Sequence, residues 1–219
     1  MGSAPRRTSP HLGATLAACA ITLAALLAAA HGLTRGFKAW TYDERRALDL
    51  QHGSIVARPP ALLSSRGELH QPWSDAPGSP RAYLVDFVYT SCPGVCQVLG
   101  GEFARMQAAL QEVQAGPSVA LLSVSFDLER DDRAALAAYA RLHRADGTQW
   151  IVAVPRSPDD LDRLLRDLQV VVVPDGSGGF VHNGAIHLLD AQGRLRGLFA
   201  YDEWREALAA ARPLAEPPP

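Results

Sequence analysis

The chain has 219 residues, of which 47% are hydrophobic and 20% charged, and its formal net charge is -2. A chain of this length can bury one good core, and a near-neutral balance with no long basic run excludes the electrostatic footprint of a nucleic-acid-binding protein. Three cysteines in a chain of this size exclude a disulfide scaffold.

Residues 1–11 form a short N-terminal tail, and Leu12 to Ala30 then runs without a charge. At about 1.5 Å per residue this run comes close to crossing a hydrocarbon core of roughly 30 Å, and it reads as a single N-terminal transmembrane helix. A cleaved signal peptide is the rival reading, because Ala28-Ala29-Ala30 offers small residues for cleavage, although such h-regions usually span only about 7 to 15 residues. Leu16-Ala17-Ala18-Cys19 resembles a lipoprotein cleavage box with lipidation at Cys19, but apolar residues follow where a polar tether is usual. Arg6 and Arg7 on one side nearly balance Arg35 and Lys38 on the other, so flanking charge barely decides the orientation.

Residues 31–57 read as a juxtamembrane spacer with a short helix, Thr41 serving as N-cap and Glu44 completing a capping box. Pro59, Pro60, Pro72, Pro77 and Pro80 predict loops over 58–80, with one hairpin near Arg66-Gly67, and put the start of the core near Arg81. From there the pattern alternates. AYLVDFVY (82–89) suits a buried strand and VCQVLGGEFARMQAALQEV (95–113) a helix that Gly116-Pro117 ends. SVALLSVSF (118–126) is a second strand, DDRAALAAYARLHR (131–144) a second helix, and QWIVAV (149–154) a third strand. SPDDLDRLLRDLQ (157–169) opens with Ser157 as N-cap and Pro158 at the first helical position. A glycine-rich loop, DGSGG, leads to GAIHLLDAQGRLRGLFA, where Ala191-Gln192-Gly193 reads as a hairpin turn. Residues 201–211 close the domain as a helix before a Pro-rich tail over 213–219. The order β-α-β-α-β-α-β-β-α over residues 58–212 is an α/β pattern matching a thioredoxin-like fold with one extra βα insertion.

Outside the apolar segment only Cys92 and Cys96 remain, where the first core strand gives way to the first core helix. A helix N-terminus stabilises a thiolate, so Cys92 is expected to be reactive. Their spacing puts both sulfurs on one helical face if Cys92 lies within the first turn, where both can approach one metal ion. An irregular turn would instead let them close a disulfide. Spacing alone leaves electron exchange, metal holding and stapling open, although a staple across so short a loop constrains little of the unfolded chain. Asp86 sits in an apolar strand, where a carboxylate either tunes the thiols or satisfies nearby backbone. Asp127 reads as a loop or helix-capping residue. His11, His31, His52 and His70 read as solvent or interface residues, and Tyr83, Phe87 and Tyr89 as sheet packing.

The run DFVYTSCPGVC resembles the signature of the Sco/SenC family of membrane-tethered copper chaperones, a strand ending in Asp-Phe-x-Tyr-Thr-x-Cys-Pro-x-x-Cys. SVSFDLERDD resembles the family's strand and acidic loop, and VHNGAIHLLDAQGRL its histidine segment. His182 stands eight residues before Asp190, where the family pattern puts a ligand. The resemblance covers roughly residues 60 to 210 and implies copper, as Cu(I) or Cu(II), on Cys92, Cys96 and His182. Two soft thiolates suit Cu(I), and an imidazole helps to accept Cu(II). Two positions depart from the pattern: Gln97 stands where proline is common, and Val181 where aspartate is common. The second departure removes an acidic neighbour that could tune the imidazole. His187 falls where many relatives carry an aromatic residue, so its ring is expected to pack in or beside the sheet.

The resemblance implies a binding and delivery protein rather than an enzyme. Such a chaperone is anchored in a bacterial inner membrane with its soluble domain facing the periplasm. It takes copper from an upstream donor and passes it to the copper-site subunit of a cytochrome c oxidase. The alternative uses the same atoms: a membrane-anchored thiol:disulfide oxidoreductase that reduces the oxidase copper-site cysteines, with Cys92 attacking and Cys96 resolving. A redox or copper sensor is a third reading.

Overall fold

The computed structural model describes residues 10–51, 55–74, 78–92, 94–112 and 118–216. Most of the tail over 1–11, Arg6, Arg7, His52, Pro77, the helix stop at Gly116-Pro117 and the last three prolines lie outside the described residues. The chain divides into two compact units, Met1–Asp49 and Leu50–Pro219.

In the first unit, α1 (Pro10–Leu33) contains the one helix, Leu12–Leu33, that is long and apolar enough among the described residues to cross a membrane; a signal sequence passes the same test. Leu16, Ile21 and Leu26 are exposed on it. The next helix, α2 (Tyr42–Gln51), starts at the expected capping box. The Glu44 N–H donates to Thr41 Oγ1 at 3.1 Å, and the Thr41 N–H donates back to Glu44 Oε2 at 3.0 Å.

The second unit is built on a seven-stranded mixed sheet. Its centre is β3 (Ala82–Val88), β4 (Val119–Ser125) and β5 (Trp150–Pro155), which run parallel. Every residue of β3 and β4 is buried, as continuous apolar runs require of strands covered on both faces. The crossovers are α3 (Val95–Glu112), packed on β3 and β4, and α4 (Arg133–His143), packed on β5. After β5 comes α5 (Pro158–Asp167), also packed on β5, with Ser157 Oγ accepting from the Asp160 N–H as the sequence predicts. On the far side of β3 lies an antiparallel hairpin of β8 (Ile186–Asp190) and β9 (Leu195–Phe199), and α6 (Trp204–Ala215) packs on β3, β8 and β9. This is the thioredoxin-like α/β fold expected from the element order.

Three features differ from the sequence reading. The predicted hairpin exists as β1 (Leu62–Ser64) and β2 (Leu69–His70), but it belongs to the sheet, giving the order β2-β1-β5-β4-β3-β8-β9. Ile55, Ala57 and Leu62 are buried, so the core begins well before Arg81; strands this short carry too few residues to show a period among the prolines. The glycine-rich loop is the turn of a separate two-stranded ribbon, β6 (Val172–Pro174) and β7 (Phe180–His182), which pair only with each other. Finally, α6 runs through Pro213 to Ala215, because a proline near a helix end forfeits only one backbone donor.

The β8–β9 turn holds Gly193 at φ +73°, and its carbonyl accepts from the Ala57 N–H at 2.8 Å. A Cβ there would lie 2.3 Å from the Ala57 oxygen and 2.7 Å from the Trp73 ring. Gly193→Ala is therefore expected to destabilise the second unit by about 3 kcal/mol, from left-handed strain and overpacking together. A lowered urea midpoint with an unchanged m-value checks it.

Candidate metal centre

The parallel strands β3 and β4 end on the same side, and the loops that follow them meet there. Val88 is the last residue of β3, and the chain turns at once: the Cys92 N–H donates to the Tyr89 carbonyl at 3.1 Å. Cys92 thus lies in this turn and not inside α3, which starts at Val95; Cys96 is the second residue of the helix. The two sulfurs still come together through the turn, not through a shared helical face. Both thiols are free and buried.

The pair is electrostatically asymmetric. Burial pushes the Cys92 thiol up, but hydrogen bonds from the Cys96 thiol, the Cys96 and Gly94 N–H groups and the Tyr89 hydroxyl outweigh it and bring the group below its ordinary value. Cys96 moves the other way, because burial and the neighbouring Cys92 both disfavour its charge. Gln97 fills a structural role: its side-chain amide donates to the Cys92 carbonyl at 3.2 Å. Tyr139 donates from its hydroxyl to the Cys96 carbonyl at 3.1 Å.

His182 is the last residue of the β6–β7 ribbon, cross-strand from Val172. Its ring stands edge-on to Phe126 with centroids 5.2 Å apart. Phe126 also meets Tyr89 at 5.5 Å and Phe180 at 5.3 Å, so aromatic contacts lead from the thiol loop to the imidazole. Both ring nitrogens of His182 are buried and have no hydrogen-bond partner. Burial lowers the imidazole pKa, keeping it in the neutral form that can ligate. Among the described residues, no group of three or more His, Cys, Asp or Glu side chains stands close enough together to hold a metal ion. The structure therefore brings the two cysteines together directly and joins His182 to them through an aromatic cluster.

The other sequence-level candidates settle into place. His187 is fully buried on β8, edge-on to Phe87 at 5.3 Å and 3.0 Å from the Ala185 carbonyl through Nδ1, as a packed sheet residue. Asp127 caps no helix; its carboxylate receives the Arg130 guanidinium at 2.5 Å, and Asp132 is the N-cap of α4. His70 is half-buried on β2 beside Glu68, at 3.5 Å. Sequence reasoning missed Asp131, which accepts from the Thr90 N–H at 2.8 Å and the Thr90 hydroxyl at 2.6 Å; nothing marks it out in the acidic run Glu129 to Asp132.

Asp86 is fully buried, and its carboxylate oxygens have no hydrogen-bond partner of good geometry, only weak contacts with the Ser123 hydroxyl and its own backbone. Burial pushes its pKa to about 7, and Ser123, its register partner on β4, offsets only part of the rise. With the folded value above the unfolded one, the native state binds the extra proton. Asp86 therefore favours folding most at acid pH, and stability falls as pH climbs from about 4 through 7. Asp86→Asn is expected to exceed the wild type at pH 8 by on the order of 2–4 kcal/mol and to match it near pH 4. Urea titrations at both values check this. Taking the difference between the two proteins cancels His143 and His182, whose lowered values give the opposite slope.

Comparison with known proteins bears on the fold and the family. The SCO1/SenC family model matches residues 61–213. A Stutzerimonas stutzeri protein named for copper binding is 26% identical over 161 residues, covering 71% of this chain and 76% of that one. Among solved structures, Bradyrhizobium japonicum ScoI with copper bound is similar, with a TM-score of 0.59 and 22% identity over 73% of this chain and 99% of that one. So is BsSco, a member of the Sco family of cytochrome c oxidase assembly proteins in which a disulfide switch was identified, with a TM-score of 0.61 and 15% identity over 74% and 94% of the two chains. The chain belongs to the SCO1/SenC family.

Proposed function

We propose that this protein holds copper on Cys92, Cys96 and His182 and passes it to the copper-site subunit of a cytochrome c oxidase. The observation that carries the reading is the pair of orphaned, buried imidazole nitrogens of His182, joined to the dithiol loop through Phe126 and Tyr89 and without a protein partner. A buried polar atom left unpaired costs roughly 1–3 kcal/mol, which a ligated metal ion would recover. The donor set, two thiolates and one neutral imidazole, suits copper and disfavours hard, oxygen-seeking cations. Copper here is cargo. Each thiol gives up its proton as it ligates, so the lowered Cys92 takes the metal first and Cys96 follows. A partner's thiolates then displace the ligands one at a time, and the β6–β7 ribbon, unpaired with the main sheet, can lift His182 away. With α1 as its anchor, the folded unit would work from the outer face of a bacterial inner membrane. The family relationship and the copper-bound relative support this reading.

A second reading has its own observation. One thiol below and one above its ordinary value is the asymmetry of an attacking and a resolving cysteine, which suits a thiol:disulfide oxidoreductase acting on the oxidase copper-site cysteines. Copper binding to the full chain with its thiols reduced, set beside turnover of a model disulfide, separates the two. The chaperone reading expects one tightly held copper per reduced chain, none after the pair is oxidised, and slow disulfide turnover. Fast turnover with no tight copper would replace it with the oxidoreductase.

A further inference from the structure

The turn after β4, Asp127 to Asp131, grips both halves of the candidate site. On one side is Asp131, which is 2% exposed and takes the Thr90 N–H at 2.8 Å, the Thr90 hydroxyl at 2.6 Å and the Ser125 hydroxyl at 2.6 Å. Thr90 stands two residues before Cys92. On the other side is Arg130. Its guanidinium donates to the Gly178 carbonyl and lies over the Phe180 ring, 5.2 Å from the centroid. Phe180 stands two residues before His182. Both grips share one base, because the Asp131 N–H donates to the Asp127 carbonyl at 2.9 Å while the buried Asp127 carboxylate holds the Arg130 guanidinium at 2.5 Å.

The ribbon carrying His182 has few other ties to the unit. Its strands pair only with each other, and at its foot Asn183 donates to the Gln169 carbonyl at 3.2 Å. Its remaining holds are the Phe180 N–H, which donates to the Tyr89 hydroxyl, the packing of Val172 on the core, and the edge contacts of Phe180 and His182 with Tyr89 and Phe126. We propose that Arg130 is a positioning residue: by fixing Gly178 and Phe180 it presses the ribbon onto the aromatic cluster and sets where His182 lies relative to the cysteine pair. Without the guanidinium the ribbon lifts and the sealed imidazole nitrogens meet solvent. The consequence for copper rests on the proposed function; the placement of His182 does not.

The test begins with the metal-free full chain in detergent. Arg130→Met is expected to speed acylation of His182 by diethyl pyrocarbonate about tenfold, the equilibrium equivalent of one hydrogen bond to a charged group, while buried His187 keeps its rate. Arg130→Lys, which retains the charge but not the planar fork, should fall between. An unchanged His182 rate overturns the proposal. Should Arg130→Met not fold, Asp127→Asn, which removes the anchor of the guanidinium, is read by the same criterion. Copper titration then separates the positioning role from the copper reading. Arg130→Met is expected to weaken binding, and Arg130→Met with His182→Ala to weaken it no further than His182→Ala alone. If acylation quickens but neither variant alters copper affinity, the positioning role stands and the copper reading fails. If His182→Ala weakens copper while Arg130→Met changes neither measurement, the copper reading stands and the positioning role fails.

Discussion

Cys96→Ser is expected to lose copper affinity by more than the roughly 10- to 100-fold cost of removing an outer-shell partner, and to abolish the thiolate-to-copper absorption of a two-sulfur site. Cys96 is fully buried at the start of α3, so a serine of nearly the same size leaves the packing intact while replacing a soft donor with a hard one. Burial keeps the native thiol protonated until a metal displaces its proton, and serine has no accessible anion to offer in exchange. Competition against a colorimetric copper chelator, with the thiols kept reduced, measures the loss. The same substitution removes disulfide closure, so it silences both the chaperone and the oxidoreductase and cannot by itself distinguish them.

His182→Ala makes that distinction. Its ring has no hydrogen bond to lose, and removing its contact with Phe126 forfeits only about 0.5–1.5 kcal/mol of aromatic pairing, so the apo fold should persist. Copper affinity is expected to fall at least about tenfold, to that of a two-thiolate site. Thiol–disulfide exchange should hold its rate, because the groups that lower Cys92 are Cys96, Gly94 and Tyr89, and His182 is not among them. A substitution that slows exchange and spares copper would reverse the assignment. Calorimetric copper titration and reduction of a model disulfide, run on the same preparation, read both quantities.

The long elements of this fold were legible because each buries enough residues to show a period. The runs 82–89 and 118–126 are strands buried along their whole length, and Ser157-Pro158 states a helix start that the Ser157 hydroxyl then makes. The ribbon was hidden because three residues show no period, although Val170 to Val173 followed by Asp175-Gly176 is itself a hairpin signal. Cys92 and Cys96 announced themselves by spacing, but their geometry did not: spacing left a shared helical face and an irregular turn open, and a turn at Tyr89 brings the two together. His182 was found only by resemblance, since a lone histidine in a glycine-rich stretch carries no local signature. Its burial among Phe126, Phe180 and Tyr89 depends on contacts between loops far apart in sequence, as does the grip of Asp131 on Thr90. Asp86 was recognisable as an expense, yet only the structure shows that Ser123 offsets no more than part of it.

Copper-edge X-ray absorption on the reduced, copper-loaded full chain addresses the ligand set most directly, because sulfur and imidazole scatter with different signatures. Two sulfurs and one imidazole are expected around each copper, with the imidazole contribution absent in His182→Ala. A wild-type shell lacking imidazole, or one that His182→Ala leaves unchanged, would contradict a site built from Cys92, Cys96 and His182.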